Sequence, residues 1–166
     1  GLIEKGRENL LLQSNQFDTT WGTANSPTLT SGQSGYDGSS DAWLLSKPAA
    51  SFVNINQNIS ISGVVTYSVY LKAGTNSTAI MRVLGGTDSQ FFVDLSNGTS
   101  TFASATIIDY VIEDVGSGWY RTSISVNDSG SVRFFIYPEA PFSNTTAGNI
   151  YIQDAQVEIG LAATDY

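Results

Sequence analysis

The chain has no cysteine and no histidine. It therefore has no disulfide framework, no zinc site of the usual Cys/His kind, no thiol nucleophile and no histidine general base. The compartment stays open, because a disulfide-free protein can still be extracellular. Positive charge is also scarce: seven bases stand against 15 acids, for a formal charge of −8. That field repels polyanions, so nucleic acid is not an expected partner. No apolar run approaches the roughly 18–20 residues needed to span a bilayer, so membrane insertion is not expected either. The opening GLIEKGREN is charged and has no signal-peptide core.

What remains is a chain of 166 residues, 41% hydrophobic and only 13% charged. That is enough for one domain with a sizeable core. Its polar surface must come from Ser, Thr, Asn and Gly, which compete with a helical backbone and disfavour helices. Strand-like runs recur at 50–62, 64–74, 78–86, 89–98, 110–116, 119–126, 131–140 and 149–159, and Val65, Tyr67, Val69 and Leu71 share one face. Between runs lie turn formers such as Gly-Ser-Gly at 116–118 and Asn-Asp-Ser-Gly at 127–130. Residues 39–47 read as a short helical turn or equally as a strand. The pattern predicts an all-β, two-sheet sandwich in one domain over 9–166. Residues 1–8, with Glu4, Lys5, Arg7 and Glu8, read as a linker or neck. Five Asn-X-Ser/Thr sequons, at Asn58, Asn76, Asn97, Asn127 and Asn144, are what chance supplies in so Asn- and Thr-rich a chain.

Six separated segments together carry a resemblance: RENLLLQSNQFDTTW (7–21), YDGSSDAWLL (36–45), VTYSVYLKAG (65–74), FFVDLSNGT (91–99), IEDVGSGWYRTSISV (112–126) and IYIQDAQVEIGLAATDY (150–166). The set resembles the carbohydrate-binding-module-like jelly-roll domain of tailed-bacteriophage structural proteins, especially tail and head fibres. It is more distantly similar to xylan- and glucan-binding modules of secreted glycosidases. The resemblance implies a jelly-roll β-sandwich of two antiparallel sheets with eight to ten strands. It further implies a virion-surface, extracellular location beside other virion structural proteins, and a homotrimeric habit. In the glycosidase modules an acid after an early Phe and an acid on the last strand help hold a structural calcium ion. Asp18, after Phe17, and Asp154 match those positions, although Gln153 stands where a second acid is usual. The last strand also breaks its alternation, since Ile150 and Ile152 share a parity with Asp154 while Ala155, Val157 and Ile159 hold the other. A bulge at Gln153-Asp154 would produce that change of face, with Asp154 either a calcium ligand or bonded to backbone amides.

Candidate ligand-binding residues follow from strand parity. Tyr120 shares parity with Ile124 and Val126, which turns Trp119 and Arg121 outward. Trp119 then either stacks on a sugar or covers the sandwich edge. Tyr70 lies on the outward parity of its strand, and Arg82 does so if Met81 and Val83 face in. Arg133, Phe135 and Tyr137 share one face. A glycan lying on one sheet across Tyr70, Arg82, Arg121, Arg133 and Tyr137 is the working arrangement; the alternative is that these side chains merely coat the sheet. Trp21 and Trp43 read as core. For catalysis only paired carboxylates are available. Glu113 and Asp114 are adjacent and point to opposite faces, and Asp94, Glu139 and Glu158 are isolated, so enzyme activity is not expected. A glycan-binding virion domain, a structural or assembly domain of a fibre or capsid, and an accessory module of a secreted glycosidase all fit this sequence.

Overall fold

The computed structural model describes residues 9–11 and 14–161. The expected linker at 1–8 and the closing residues 162–166 lie outside the described residues. Among the described residues ten strands form: β1 (Gly22–Ala24), β2 (Thr28–Gln33), β3 (Ala42–Lys47), β4 (Asn54–Ala73), β5 (Thr78–Leu84), β6 (Asp88–Asp94), β7 (Thr99–Ala103), β8 (Asp109–Gly116), β9 (Trp119–Tyr137) and β10 (Gly148–Ile159). Segment 39–47 resolves to a strand, and the described residues contain no helix.

Two long strands organise everything else. β4 and β9 pair antiparallel from Ile55↔Ile136 to Lys72↔Trp119 with no register shift. The second half of β4 takes β10, followed by β3 and β2, while the first half of β9 takes β8. These strands make a first sheet. The first half of β4 takes β1, and the second half of β9 takes β5, then β6 and β7. These make a second. Tyr67 and Phe134 sit far apart along the ribbon, yet their rings meet edge-on at 5.2 Å. The ribbon is therefore folded over, and the two sheets close on each other as a jelly-roll sandwich. The fold-over lies at Gly63 (φ +96°) and Gly130 (φ +92°), in a backbone region that L side chains avoid.

Two pairs of runs read as separate strands are thus single strands. Asn-Asp-Ser-Gly at 127–130 does not reverse the chain. Asn127 and Asp128 pair with Val64 and Gly63, and the Asp128 carboxylate accepts the Gly86 and Ser129 amides instead. Gly-Ser-Gly does make the β8–β9 hairpin, with Ser117 at φ +56° and Gly118 at φ +83°, the positive angles a two-residue hairpin loop requires. The odd residues of β4 and the even residues of β9 line the core. Val65, Tyr67, Val69 and Leu71 meet Met81, Phe91, Ile124, Val132 and Phe134, with Phe17, Trp21 and Trp43 closing one part of it. Tyr67 is fully buried, and its hydroxyl donates to the Phe135 carbonyl at 3.2 Å. β1, β2 and β7 were not read from the sequence. They are short and largely exposed, so they carry little hydrophobic alternation.

Candidate functional site

The outward parity of the ribbon is continuous, but its bend sends the two halves to opposite sides of the molecule. Tyr70, Trp119 and Arg121 lie on the outer face of the first sheet; Arg82, Arg133 and Tyr137 lie on the outer face of the second. The parity reading was right for all six. Their placement on one surface was not, because parity says nothing about where a strand folds over.

On the first sheet the aromatics are closed over. The β2–β3 connection brings Tyr36 flat onto Tyr70, with ring centroids 3.5 Å apart and planes at 4°, and edge-on to Trp119 at 6.3 Å. Trp119 is left 1% exposed and Tyr70 8%. Trp119 therefore covers the sandwich rather than offering a free stacking surface. Arg121 lies over the other aromatic partner, 5.6 Å from the Tyr70 ring centre.

β10 bulges beside this stack. Gln153 pairs with Tyr70 and Gln156 with Ser68, so Asp154 and Ala155 together oppose Val69. Asp154 takes φ +48°. Its amide donates to Asn15 Oδ1 at 3.0 Å, and its carboxylate accepts the Tyr36 hydroxyl at 2.8 Å. Burial holds the Asp154 carboxyl above the ordinary carboxylate range and pushes the Tyr36 phenol up as well. The bulge accounts for the change of face, but the carboxylate goes to a phenol, neither to backbone amides nor to a shared acidic cage. Asp18 is exposed and lines a surface hollow with Asn15, Gln16, Ser31 and Asp41. The acids whose fields act on Asp154 are Asp37 and Asp41. Among the described residues no three acids gather into a metal ligand group. Hard oxygen donors suit calcium, and any such site at Asp18 and Asp154 would draw its remaining ligands from amide, hydroxyl and carbonyl oxygens such as those of Asn15 and Ser31.

The outer face of the second sheet is open. Four phenylalanine rings run across it in steps: Phe52 to Phe142 at 5.5 Å, Phe142 to Phe92 at 5.6 Å, Phe92 to Phe102 at 5.2 Å. Phe52 and Phe102 are each 48% exposed. Beneath them Phe135, Tyr137 and Ile80 form a small satellite core. Arg82 lies between the rings, its guanidinium carbon 5.3 Å from the Phe135 centre and 5.1 Å from that of Phe142. Two parallel 2.9 Å hydrogen bonds to Asp88 and one of 3.0 Å to the Tyr137 hydroxyl fix its orientation. The guanidinium holds the Asp88 carboxyl below the usual range, and Asp88 in turn raises Arg82. Tyr137 is itself buried, and its hydroxyl meets this surface only as the acceptor for Arg82. Arg133 extends this face, donating from Nε to Asn58 Oδ1 at 3.2 Å beside a hollow lined by Asn56, Gln57 and Asn58.

The loops that carry the outer rings are pinned from below. Phe52 sits at φ +55°, a left-handed conformation unusual for a bulky residue. Its amide donates to the Phe142 carbonyl, and its own carbonyl accepts the side-chain amides of Asn25 and Asn54. The loop after β9 is held by Lys47, whose buried ammonium donates at 2.8 Å to Glu139, to the Asn144 carbonyl and to the Thr146 carbonyl. Sequence reasoning missed Phe52, Phe92, Phe102 and Phe142. The run SQFFVD displayed Phe92 on the outward parity, whereas Phe52 and Phe142 lie in irregular segments with no periodic signal.

Among the described residues, the carboxylates singled out in the sequence do not pair in a way that suits glycoside hydrolysis. Glu139 is tied to Lys47, Asp94 accepts from Ser96, and Glu158 from Gln156. Asp109 and Glu113 share a face of β8, but four residues along a strand separate them by about 13 Å, beyond the ~6.5–9.5 Å of inverting pairs.

No family model matches the chain, and no curated protein matches it. Solved structures do. The CBM22-1 xylan-binding domain of Xyn10C from Paenibacillus barcinonensis aligns over 97% of this chain and 100% of its own, with 13% identity and a TM-score of 0.56. TmCBM61, solved in complex with β-1,4-galactotriose, aligns over 90% of this chain and 97% of its own, with 14% identity and a TM-score of 0.54. The enzymatically active domain of tailspike protein 4 from bacteriophage CBA120 aligns over 93% of this chain and 21% of its own, with 15% identity and a TM-score of 0.49. At such identities the likeness speaks of fold alone: this chain has the jelly-roll β-sandwich fold of carbohydrate-binding modules.

Proposed function

We propose that the protein is a non-catalytic glycan-binding module and that the glycan lies on the outer face of the second sheet. The observation that carries this reading is the open phenylalanine ladder around a fixed guanidinium. The half-exposed end rings, Phe52 and Phe102, offer apolar surface to the C–H faces of sugar residues, while Phe142, edge-on to Phe92 at 90°, fills the space between them. Arg82 and Asp88, already oriented by each other, supply a donor and an acceptor for hydroxyls at the ladder's side. Strain at Phe52 supports the reading, because an exposed aromatic held in an unfavourable backbone conformation adds nothing to the core. The neighbouring modules that bind xylan and galactotriose share the fold, which makes a polysaccharide the natural ligand class to test. Tyr70, Trp119 and Arg121 do not belong to this site.

The location belongs to the proposal as well: the exposed surface of a phage virion, or a secreted enzyme as accessory module. The resemblance of the GWYR and AQVEIG segments favours the virion. Repeated copies there, as trimers or along a fibre, would add avidity to a weak single site. A calcium ion held by Asp18 and Asp154 is a separate proposal, supported by the oxygen-rich hollow beside Asp18, whose Asn15 also accepts the Asp154 amide. It is tested by melting the protein with calcium and with a chelator; equal midpoints remove it.

The deciding experiment is a glycan array probed with the full chain and with Phe52→Ala and Phe142→Ala. Binding to a saccharide class that both variants lose, while Tyr70→Ala retains it whenever folded, is the expected result. Binding that survives both ladder variants would move the site elsewhere. A folded protein that binds nothing would favour a purely structural domain.

A further inference from the structure

Four strands end the two sheets: β2 and β8 on the first, β1 and β7 on the second. Three of them are blunted in the ways that protect sheet edges. β1 has three residues, β7 has five and a register shift, and β2 is broken by a shift between Thr30 and Gln33. β8 is different. It has eight residues and pairs with β9 from Asp109 to Asp114 without a shift, its one irregularity falling at the hairpin end between Asp114 and Gly116, and its only protection is negative charge, with neither lysine nor proline. Two of its apolar side chains are exposed, Tyr110 at 47% and Val111 at 51%, with Ile108 at 52% just before it, while Ile112 and Val115 are half-buried against the core. Among the described residues nothing pairs with its outer edge.

The charges on β8 select what can add there. Asp109, Val111 and Glu113 share one side of the strand. They line a hollow of about 150 Å³ with Arg121, Ser123 and Ser125. Asp114 stands on the opposite side. A second copy of β8 would bring three acids against three acids, in a chain already at −8, which is unfavourable for opposed strands. An extended segment with bases at the two outer positions and an apolar residue between them meets the opposite condition. Arg121 is the one base lining the hollow, and it narrows that preference without reversing its sign.

We infer that β8 is a docking edge for an extended, basic segment of a partner polypeptide, of pattern basic–any–apolar–any–basic. The segment adds as a strand, and its main chain supplies the hydrogen bonds. Its two bases reach Asp109 and Glu113, and its apolar residue covers Val111. This edge belongs to the first sheet and is independent of the glycan reading.

The test uses the full chain and three fluorescently labelled peptides, read by fluorescence anisotropy. They are Thr-Lys-Thr-Val-Thr-Lys-Thr, the same peptide with both Lys replaced by Glu, and the Lys peptide with alternate amides N-methylated. The Lys peptide is expected to bind at least about tenfold more tightly than either other peptide, a gap near 1.4 kcal/mol. Glu113→Lys and Asp109→Lys, checked for an unchanged melting midpoint, should remove that preference, and added salt should weaken binding. Equal binding of the N-methylated peptide would overturn strand addition. Indifference to both charge reversals would overturn the site. Self-association in sedimentation that Val111→Lys abolishes would make a second copy the occupant and overturn the partner class.

Discussion

The same two strands build both outward faces of this molecule, with the same residue types on the same parity, and the faces end differently. On the first sheet, Tyr70 and Trp119 are sealed by Tyr36 from the β2–β3 connection. On the second, Phe135 and Tyr137 are covered by a layer whose outermost rings, Phe52 and Phe102, stay half in water. The strands set which way an aromatic points, and the loops decide whether a ligand can reach it. An outward aromatic on a strand is thus weak evidence of binding until the connections above it are known.

The comparison can be broken most forcefully at Trp119. Trp119→Ala should cost about 3–5 kcal/mol of stability, as for other buried large-to-small changes, and leave glycan affinity of the folded protein unchanged. Chemical denaturation and a binding isotherm read the two parts separately; a loss of affinity at constant fold would put the first sheet back in the site. Lys47→Met should act on both quantities. It strands Glu139 beside an apolar chain, a cost of about 3–5 kcal/mol for a broken buried pair, and frees the loop that carries Phe142. Calorimetry of the Lys47→Met/Glu139→Leu double variant should recover much of the stability and little of the affinity.

Phe52→Gly sharpens the contrast from the other side. Glycine accepts a positive φ without strain, so about 1–3 kcal/mol of local strain is relieved while one end of the ladder is lost. Affinity should fall several-fold with the melting midpoint unchanged or raised. A lowered midpoint would mean that Phe52 is there for packing.

The smallest effects are in pH. Asp88 has its carboxyl lowered by Arg82, so the stability it contributes is present above the ordinary carboxylate range of about 4 and is lost as the pH falls through its lower folded value. Asp154 has its carboxyl raised by burial. The stability linked to its protonated form is present in acid and is lost as the pH rises through its folded value. Against wild type, Asp88→Asn should therefore be less stable near neutrality and Asp154→Asn more stable, with both differences shrinking on acidification. Melting curves between pH 3 and pH 7 check the signs; partial exposure of Asp88 keeps its effect small.

Much of the fold was legible because period-two alternation is local. The inward faces of β4 and β9 and the bulge beside Asp154 follow from neighbours in the chain, and Trp21 and Trp43 lie in the core as expected, joined there by Phe17, for which the sequence carried no such reading. Of the six outward residues, Arg82, Arg133 and Tyr137 do share one face, and Tyr70, Trp119 and Arg121 share the other. What escaped depends on distant parts meeting. Lys47 and Glu139 are 92 residues apart, and Tyr36 meets Asp154 across 118. Asn-Asp-Ser-Gly misled because turn formers also serve where a strand folds over without reversing.

The ribbon of β4 and β9 has a thermodynamic consequence. Each strand is the middle of both sheets, so neither sheet can melt while the other persists. Heating should give one transition, with calorimetric and van't Hoff enthalpies in agreement. Saturating the phenylalanine ladder should then slow amide exchange in β10 and β3, on the far side of the sandwich, as strongly as in β5 and β6.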